Sequence, residues 1–452
     1  MSVDLDAEPA RDARSLPFYR LLARRMRDPL KAFEEVGREA RGEIVRLTMG
    51  PFRPYLVTHP DHVRHVLKTS QPNYVREGMF WDPLVPLLGG GILSDGETWQ
   101  ESRRIVQPLF TTKYVNSLAE RMADIIAEQI DVTVRPGEPF DIVKGVAQIV
   151  HPTIVRLFFG DKISAEDIAR LIPAYDTAVT ATSMRLVLPF VPRSVPLPGD
   201  RAFRRSIETI DDVVYPRVRE GRLRLDDDRD IVAALCRARR DDIGEAGDRR
   251  IRDDLVAMHG ASTETSATAL TWMWVALDAN PDLAARVYEE IDDVVGTDPI
   301  RPAHLPGLRY LGMFLSELLR LYPPGWILPR KALRTETIGA VTVEAGSTVM
   351  LSPYLTHRLE EFWDRPLVFD PERFAPENAQ RRHRYAYFPF LGGPHQCLGQ
   401  HLFMLEALLL VGGILSRFRP VLKTSGPVLP RLASSLRPNR DVQMTLVERG
   451  RA

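Results

Sequence analysis

The chain has 452 residues, 44% of them hydrophobic and 27% charged, an ordinary globular composition that excludes a disordered protein. Lys+Arg and Asp+Glu balance at 60 each, so no whole-protein field directs it to nucleic acid or an anionic membrane. Two cysteines exclude a disulfide framework. Length alone suggests about three domains, yet no Gly/Ser-rich linker, low-complexity tract or repeat divides the chain, and one large mixed domain is expected.

The first residues, MSVDLDAEPARDARSLPFYR, carry charges throughout. They contain neither the apolar core of a signal peptide nor a spanning helix, which predicts a soluble cytoplasmic protein without a membrane anchor. After this arm, EIVRLTMG alternates Val45, Leu47 and Met49 with polar neighbours, and GPF turns it into PYLVT, a hairpin pattern. HPDHVRHVLK follows as a short helix. Its His59, His62 and His65 lack an i,i+4 pair and a carboxylate cluster, so they read as a solvated helix face rather than a metal site. From Glu97 to about Val132 the pattern is helical, with Leu118, Met122, Ile125, Ile126 and Ile130 at three- and four-residue spacing.

Helical patterns continue to Leu321, broken by MRLVLPFVPRSVPLPGD (184–200), whose prolines forbid a continuous helix. Cys236, in DIVAALCRARR, falls on an apolar helix side and reads as core. Strand signals return at TIGAVTVEAGSTVML, where Gly339 and Gly346 mark turns. The last third is rich in loops until a helix opens after Cys397. The fold class is therefore mainly α, with a smaller β portion drawn from both ends of the chain.

FPFLGGPHQCLGQHLFMLE (388–406) places Cys397 at that helix start, where free N–H groups and the helix dipole favour a thiolate. Leu398, Leu402, Leu405, Leu408 and Leu409 form the apolar face behind it. Gly392 and Gly393 allow a backbone path closed to other residues, Gly399 lets something flat and bulky approach, and Phe390 could shield the sulfur. A buried cysteine acting as a small hydrophobe explains the same residues. The cysteine alone leaves both readings open.

The ten residues 390–399, F-L-G-G-P-H-Q-C-L-G, resemble the haem-binding signature of the cytochromes P450, F-x-x-G-x-[RH]-x-C-x-G. Phe390, Gly393, His395, Cys397 and Gly399 match. The resemblance implies haem b, with Cys397 as the proximal thiolate and sole protein ligand of its iron. Other segments extend it. Glu317 and Arg320 in SELLRLYPP, a spacing that is usually a surface ion pair, are similar to the family's core pair, completed by Arg373 of Pro371–Phe374. Ala261, Ser262, Thr263, Glu264, Thr265 and Ser266 resemble the distal-helix pattern [AG]-G-x-[DE]-T-[TS], with Ser262 in place of glycine and the acid–alcohol pair intact. Trp99 and Arg103 resemble the W-x-x-x-R that binds a haem propionate, and Arg330 and His395 occupy positions that do the same. The resemblance runs from about residue 30 to 445, which divides the chain into an N-terminal arm, 1–30, and a single haem domain, 31–452.

What it implies is a haem-thiolate monooxygenase that takes electrons, protons and O2. One oxygen atom would enter an apolar or aromatic small molecule or natural product, by hydroxylation or epoxidation. Thr265 would hold the distal water and dioxygen, and Glu264 would pass protons inward. No flavin or ferredoxin domain fits within this length, so a separate ferredoxin and ferredoxin reductase are the expected partners of a monomer. The basic run Arg381, Arg382, His383, Arg384 is their expected docking patch, with a merely solvated loop as the alternative. Met79, Phe80, Trp81 and Leu88, with Ala261, the 184–199 segment, Trp326 and Ile327, are the expected substrate lining. Terpenoid, fatty acyl, polyketide and aromatic peptide substrates all fit. Alternative activities are oxidative aromatic cross-coupling of a peptide or phenol, a peroxide-driven peroxygenase, and a non-catalytic haem sensor or carrier; the Glu264–Thr265 pair speaks against the peroxygenase.

Overall fold

The alternating residues near the N-terminus build the main sheet. Strands β1 (Arg14–Leu16), β2 (Val45–Leu47), β3 (Tyr55–Val57), β4 (Tyr74–Val75), β5 (Leu328–Ala332) and β6 (Thr348–Leu351) lie in the order β1-β2-β3-β6-β5-β4. Val45 and Leu47 are buried and Arg46 is half-buried between them, as the alternation requires. β2 and β3 form the expected hairpin, pairing Val45 with Leu56 and Arg46 with Tyr55. β3 runs parallel to β6 at Leu56 and Met350, which joins the two ends of the chain. The computed structural model describes residues 10–18, 28–50, 52–160, 163–182, 184–185, 191–192, 194–225 and 230–449. Within the expected arm, β1 joins the sheet by pairing parallel to β2; residues 1–9 and 19–27 lie outside the described residues.

The helices labelled here are α1 (Pro29–Ala40), α2 (Gly96–Val106), α3 (Ala119–Thr133), α4 (Ile142–Phe159), α5 (Ala165–Ala181), α6 (Asp200–Arg222), α7 (Gly244–Ala279), α8 (Arg309–Leu321) and α9 (Gln400–Leu415). The helical pattern from Glu97 to about Val132 is built as several pieces. Pro108 ends α2 in a 3-10 turn, Thr111 caps Thr112–Ser117, and α3 follows. Helix α7 is buried on every side over most of its length and forms the centre of the molecule. Helix α9 is apolar all round and sits in the same core. By length and composition, Ile142–Phe159 and Gly393–Leu415 could each cross a membrane, but 67% of each window is buried inside the protein.

A second sheet was not legible in the sequence. Gln443–Glu448 pairs antiparallel with both Phe418–Leu422 and Pro139–Asp141. These strands are short and mixed in polarity, and only the partner strand defines them. The three histidines of the first short helix also differ from expectation. His59 caps it, His62 and His65 are half-buried, and His65 Nε2 lies 2.8 Å from Glu336. Among the described residues no metal-holding cluster occurs.

Candidate active site

The Cys397 loop is shaped by its glycines for two different reasons. Gly393 has φ +69, and a Cβ there would stand 2.0 Å from the Leu67 carbonyl oxygen. Gly392 has φ −167, which any residue adopts; glycine is needed there because a Cβ would meet the Tyr385 ring at 2.6 Å. The loop closes with Cys397 N–H donating to Phe390 O at 2.9 Å, and Phe390 packs on Phe403 at 5.9 Å. Cys397 is accessible, yet lies deep enough for burial to push its thiol up, against the Gly399 N–H and the Arg103 guanidinium, which pull it down. A Cβ on Gly399 would meet nothing nearer than Cys397 Sγ, at 3.7 Å, so the first turn beside the sulfur is open.

A cluster of cations stands near this loop. Arg103 on α2 donates to Gln396 O at 2.8 Å. Arg330 on β5 is 3% exposed, donates to Pro329 O, and is held down to about 9 by burial and Arg76. Arg76 pairs with Asp95. His395 Nε2 lies 3.1 Å from Asp95 and 3.2 Å from Gln71, and its ring meets Trp99 edge-on at 4.1 Å. Burial and the three arginines hold His395 down to about 2, so it is neutral. Trp99 Nε1 and His395 Nδ1 are buried without a partner. Three arginines with one carboxylate among them, and the orphaned Trp99 Nε1–H beside them, leave a deficit of negative charge. Two haem propionates would supply that charge and accept those donors. The residues present fit the group.

Across the core, α7 runs unbroken through residues 261–266. Ala261 and Thr265 are exposed, although residues 251–259 and 266–277 are all buried. Thr265 Oγ1 donates to Ala261 O at 2.7 Å, and Ser262 Oγ folds back onto Met258 O at 2.8 Å. Glu264 points elsewhere: it accepts from Ser434 at 2.6 Å and from Ser435 and Arg437 at 2.8 Å. Those donors outweigh its burial and keep its pKa below the usual range. Glu317 and Arg320 are wholly buried with Arg320 Nε 2.6 Å from Glu317, and Arg373 Nε lies 3.5 Å from the same carboxylate.

The expected lining residues do not all converge. Phe80, Trp326 and Ile327 pack against the sheet-side core, Trp326 edge-on to Phe33 at 5.3 Å. Trp81 Nε1 donates to Pro329 O, with Arg330 5.8 Å from its ring centroid. Leu88 packs on the helical core, and Met79 is half-buried. A cavity of about 470 Å³ opens between α5 and α6, lined by Asp176, Thr180, Met184 and Pro198 among others. It touches the 184–199 segment, of which 186–190 and 193 lie outside the described residues, but none of the Cys397 loop. The basic run is also divided. Arg381 and Arg384 are exposed, whereas Arg382 stacks on Phe374 at 4.4 Å and Trp363 at 4.5 Å, and His383 caps the next turn.

A family model described as Cytochrome P450 matches residues 13–446. The chain belongs to the cytochrome P450 family. It is 32% identical over 392 residues to cyclooctatin synthase of Streptomyces melanosporofaciens, covering 84% of this chain and 83% of that one. It is 30% identical over 421 residues to pentalenene oxygenase of Streptomyces avermitilis, covering 92% of both. The crystal structure of the cytochrome P450DA heme domain matches its fold with a TM-score of 0.86 over 98% of both chains, at 21% identity. This P450 is a monooxygenase with haem b as its cofactor. Haem b, when bound, supplies the redox chemistry that activates O2.

Several residues of the P450 site escaped the sequence reading. Arg76 and Asp95 stand in no motif. Glu406, a lone acid in the apolar run HLFMLEALLL, is the one with a visible signal: it is 1% exposed with both carboxylate oxygens unpartnered. Burial pushes it up to about 8. An unfolded glutamate ionises near pH ~4.3, so the unfolded chain loses this proton first and stability falls as pH rises from about 5 to about 8. Glu406→Gln should remove roughly 4 kcal/mol of that fall. Urea midpoints of both proteins at pH 5 and pH 8 measure it; an unchanged slope would show that Glu406 is ionised when folded.

Proposed function

We propose that this P450 oxygenates a terpene hydrocarbon, hydroxylating or epoxidising it beside Thr265. The observation that carries the reading is the accessible Ala261–Thr265 face between two fully buried stretches of α7, 251–259 and 266–277, which leaves room for a substrate at the family's oxygen-handling motif. A pentalenene oxygenase and a cyclooctatin synthase are among the chain's relatives, which favours this class among apolar substrates. In this reading Cys397 holds the iron, and Trp99, Arg103 and Arg330 hold the propionates. His395, neutral and with its Nε2–H turned to Asp95, has no proton on Nδ1 to give a propionate and supports the site through Asp95 and Trp99 instead. Ala261 keeps the distal face low, and Thr265 positions the water that delivers protons. Glu264, bound by the 434–437 residues, passes protons only when Arg437 or a serine yields. The protein acts as a cytoplasmic monomer whose haem domain begins near residue 31, fed by a separate ferredoxin and its reductase.

The test is turnover with NAD(P)H and those partners on pentalenene against a fatty acid and a phenolic dipeptide. Oxygenated pentalenene supports the reading, whereas a coupled phenol or a hydroxylated fatty acid as the preferred product overturns it. With an accepted substrate, Thr265→Ala should raise peroxide released per product several-fold at preserved NAD(P)H consumption, because the distal proton loses its holder. Wild-type coupling in that variant removes Thr265 from the role.

Electron entry is read at the exposed pair Arg381 and Arg384. Reversing both to glutamate should slow reduction by an acidic ferredoxin about tenfold at low salt and flatten the salt dependence, since exposed charges are screened beyond about 8 Å at physiological ionic strength. Stopped-flow reduction at two salt concentrations reads this, and an unchanged rate at low salt places docking elsewhere. Arg382 is left intact because its stacking is structural.

A further inference from the structure

Three consecutive charged residues in the first half of α7 are buried: Arg252 is 4% exposed, Asp253 7% and Asp254 0%. All three reach for the same short stretch of chain. Arg252 Nη1 donates to Leu87 O at 2.7 Å, while its Nε binds Asp211 at 2.7 Å. Asp253 accepts from Gly90 N–H at 3.1 Å and from Arg252 at 3.0 Å. Asp254 accepts from Ile92 N–H at 2.9 Å, and from Ser102 and Arg239 at 3.1 Å each.

The glycines of this stretch fit that arrangement. Gly89 has φ +65, and a Cβ on it would stand 1.9 Å from the Asp253 carboxyl carbon; one on Gly91 would stand 2.3 Å from Asp254 Oδ1. The backbone of residues 87–92 is thus drawn directly onto the two carboxylates. Apolar packing would hold a loop here at a smaller desolvation cost. Directed bonds to its N–H and C=O groups set its position instead.

We propose that Arg252, Asp253 and Asp254 are positioning residues that fix where segment 78–92 closes over the substrate space, and so select ligands by size. The inference rests on the reading above that Leu88 and its neighbours line that space. It couples the loop to the same helix that carries Thr265, so loop position and the distal face are set together.

The experiment compares wild-type holoenzyme with Asp253→Ala, using two azoles whose nitrogen ligates haem iron, imidazole and the bulky clotrimazole. Binding is read from the ferric Soret shift, and amide hydrogen exchange of residues 87–92 is followed in parallel. Clotrimazole affinity should change about tenfold, the scale of one lost charged hydrogen bond, with imidazole affinity unchanged. Exchange at 87–92 should accelerate while α8 and α9 keep their protection. Asp253→Asn retains an acceptor for Gly90 N–H and should restore clotrimazole affinity most of the way; it also serves if the alanine variant does not fold. Equal effects on both azoles, or unchanged exchange at 87–92, overturns the proposal. Neither readout uses a terpene, so failure of the substrate assignment leaves this result separately legible.

Discussion

Cys397→Ser should yield a folded protein whose reduced carbon monoxide complex lacks the strongly red-shifted Soret band of thiolate ligation, and whose oxygenase activity is abolished. Serine keeps the shape of the loop and its Phe390 O hydrogen bond, because that bond comes from the backbone N–H. What is lost is the soft anionic donor, and no second thiol can replace it. Cys236 is fully buried in the helical core, its Sγ lies 3.5 Å from Val218 O, and burial pushes it up to about 12. Cys236→Ala should therefore leave the spectrum unchanged at a modest cost in stability, about that of a small core truncation. A red-shifted band surviving in Cys397→Ser, or vanishing in Cys236→Ala, would reassign the ligand.

Arg320→Leu should be the most destabilising single change in the chain. Its guanidinium is fully buried, and each N–H has a use. Two bonds go to Glu317, at 2.6 and 2.8 Å, and three to the carbonyl oxygens of His357, Pro366 and Val368 at 2.7–3.1 Å. Glu317 in turn accepts from Asp370 N–H at 2.7 Å. The network then reaches the cysteine loop, for His357 stands 3.2 Å from Arg320 O and accepts from Phe388 N–H. Removing the arginine leaves a buried carboxylate with only the more distant Arg373 as a counter-charge, at a cost of about 3–5 kcal/mol. The orphaned carbonyls add about 1–3 kcal/mol each, which together approaches the whole stability of a typical domain, about 5–15 kcal/mol. The expected result is protein that is insoluble or purifies without haem. Glu317→Gln should be less severe, and Arg373→Leu milder still, because Arg373 is partly exposed and 3.5 Å away. Urea midpoints and haem occupancy across the series give the ranking. A stable, haem-replete Arg320→Leu would show that the network is dispensable.

The features legible in the sequence are those whose geometry is local. The cysteine loop lies within ten residues, and its spacing to the next helix already determines where the thiol sits. Helical periodicity placed the core faces, and alternation placed the β2–β3 hairpin. Family, cofactor and reaction class followed from motifs of this kind, and the family match agrees with them.

What the sequence did not contain is the direction a polar side chain takes when its partner is distant along the chain. Glu264 was legible as half of an acid–alcohol pair, yet its acceptor capacity is taken by Ser434, Ser435 and Arg437, some 170 residues away. Arg382 looked like part of a basic surface run and is stacked on aromatic rings instead. Arg252, Asp253 and Asp254 stand in no motif, and their role emerges only where the fold lays residues 87–92 across them. Spacing along a helix or turn is governed by backbone dihedrals, which each short segment sets for itself. A buried charge must find a partner wherever packing supplies one, and only the assembled fold decides which groups are within 3 Å.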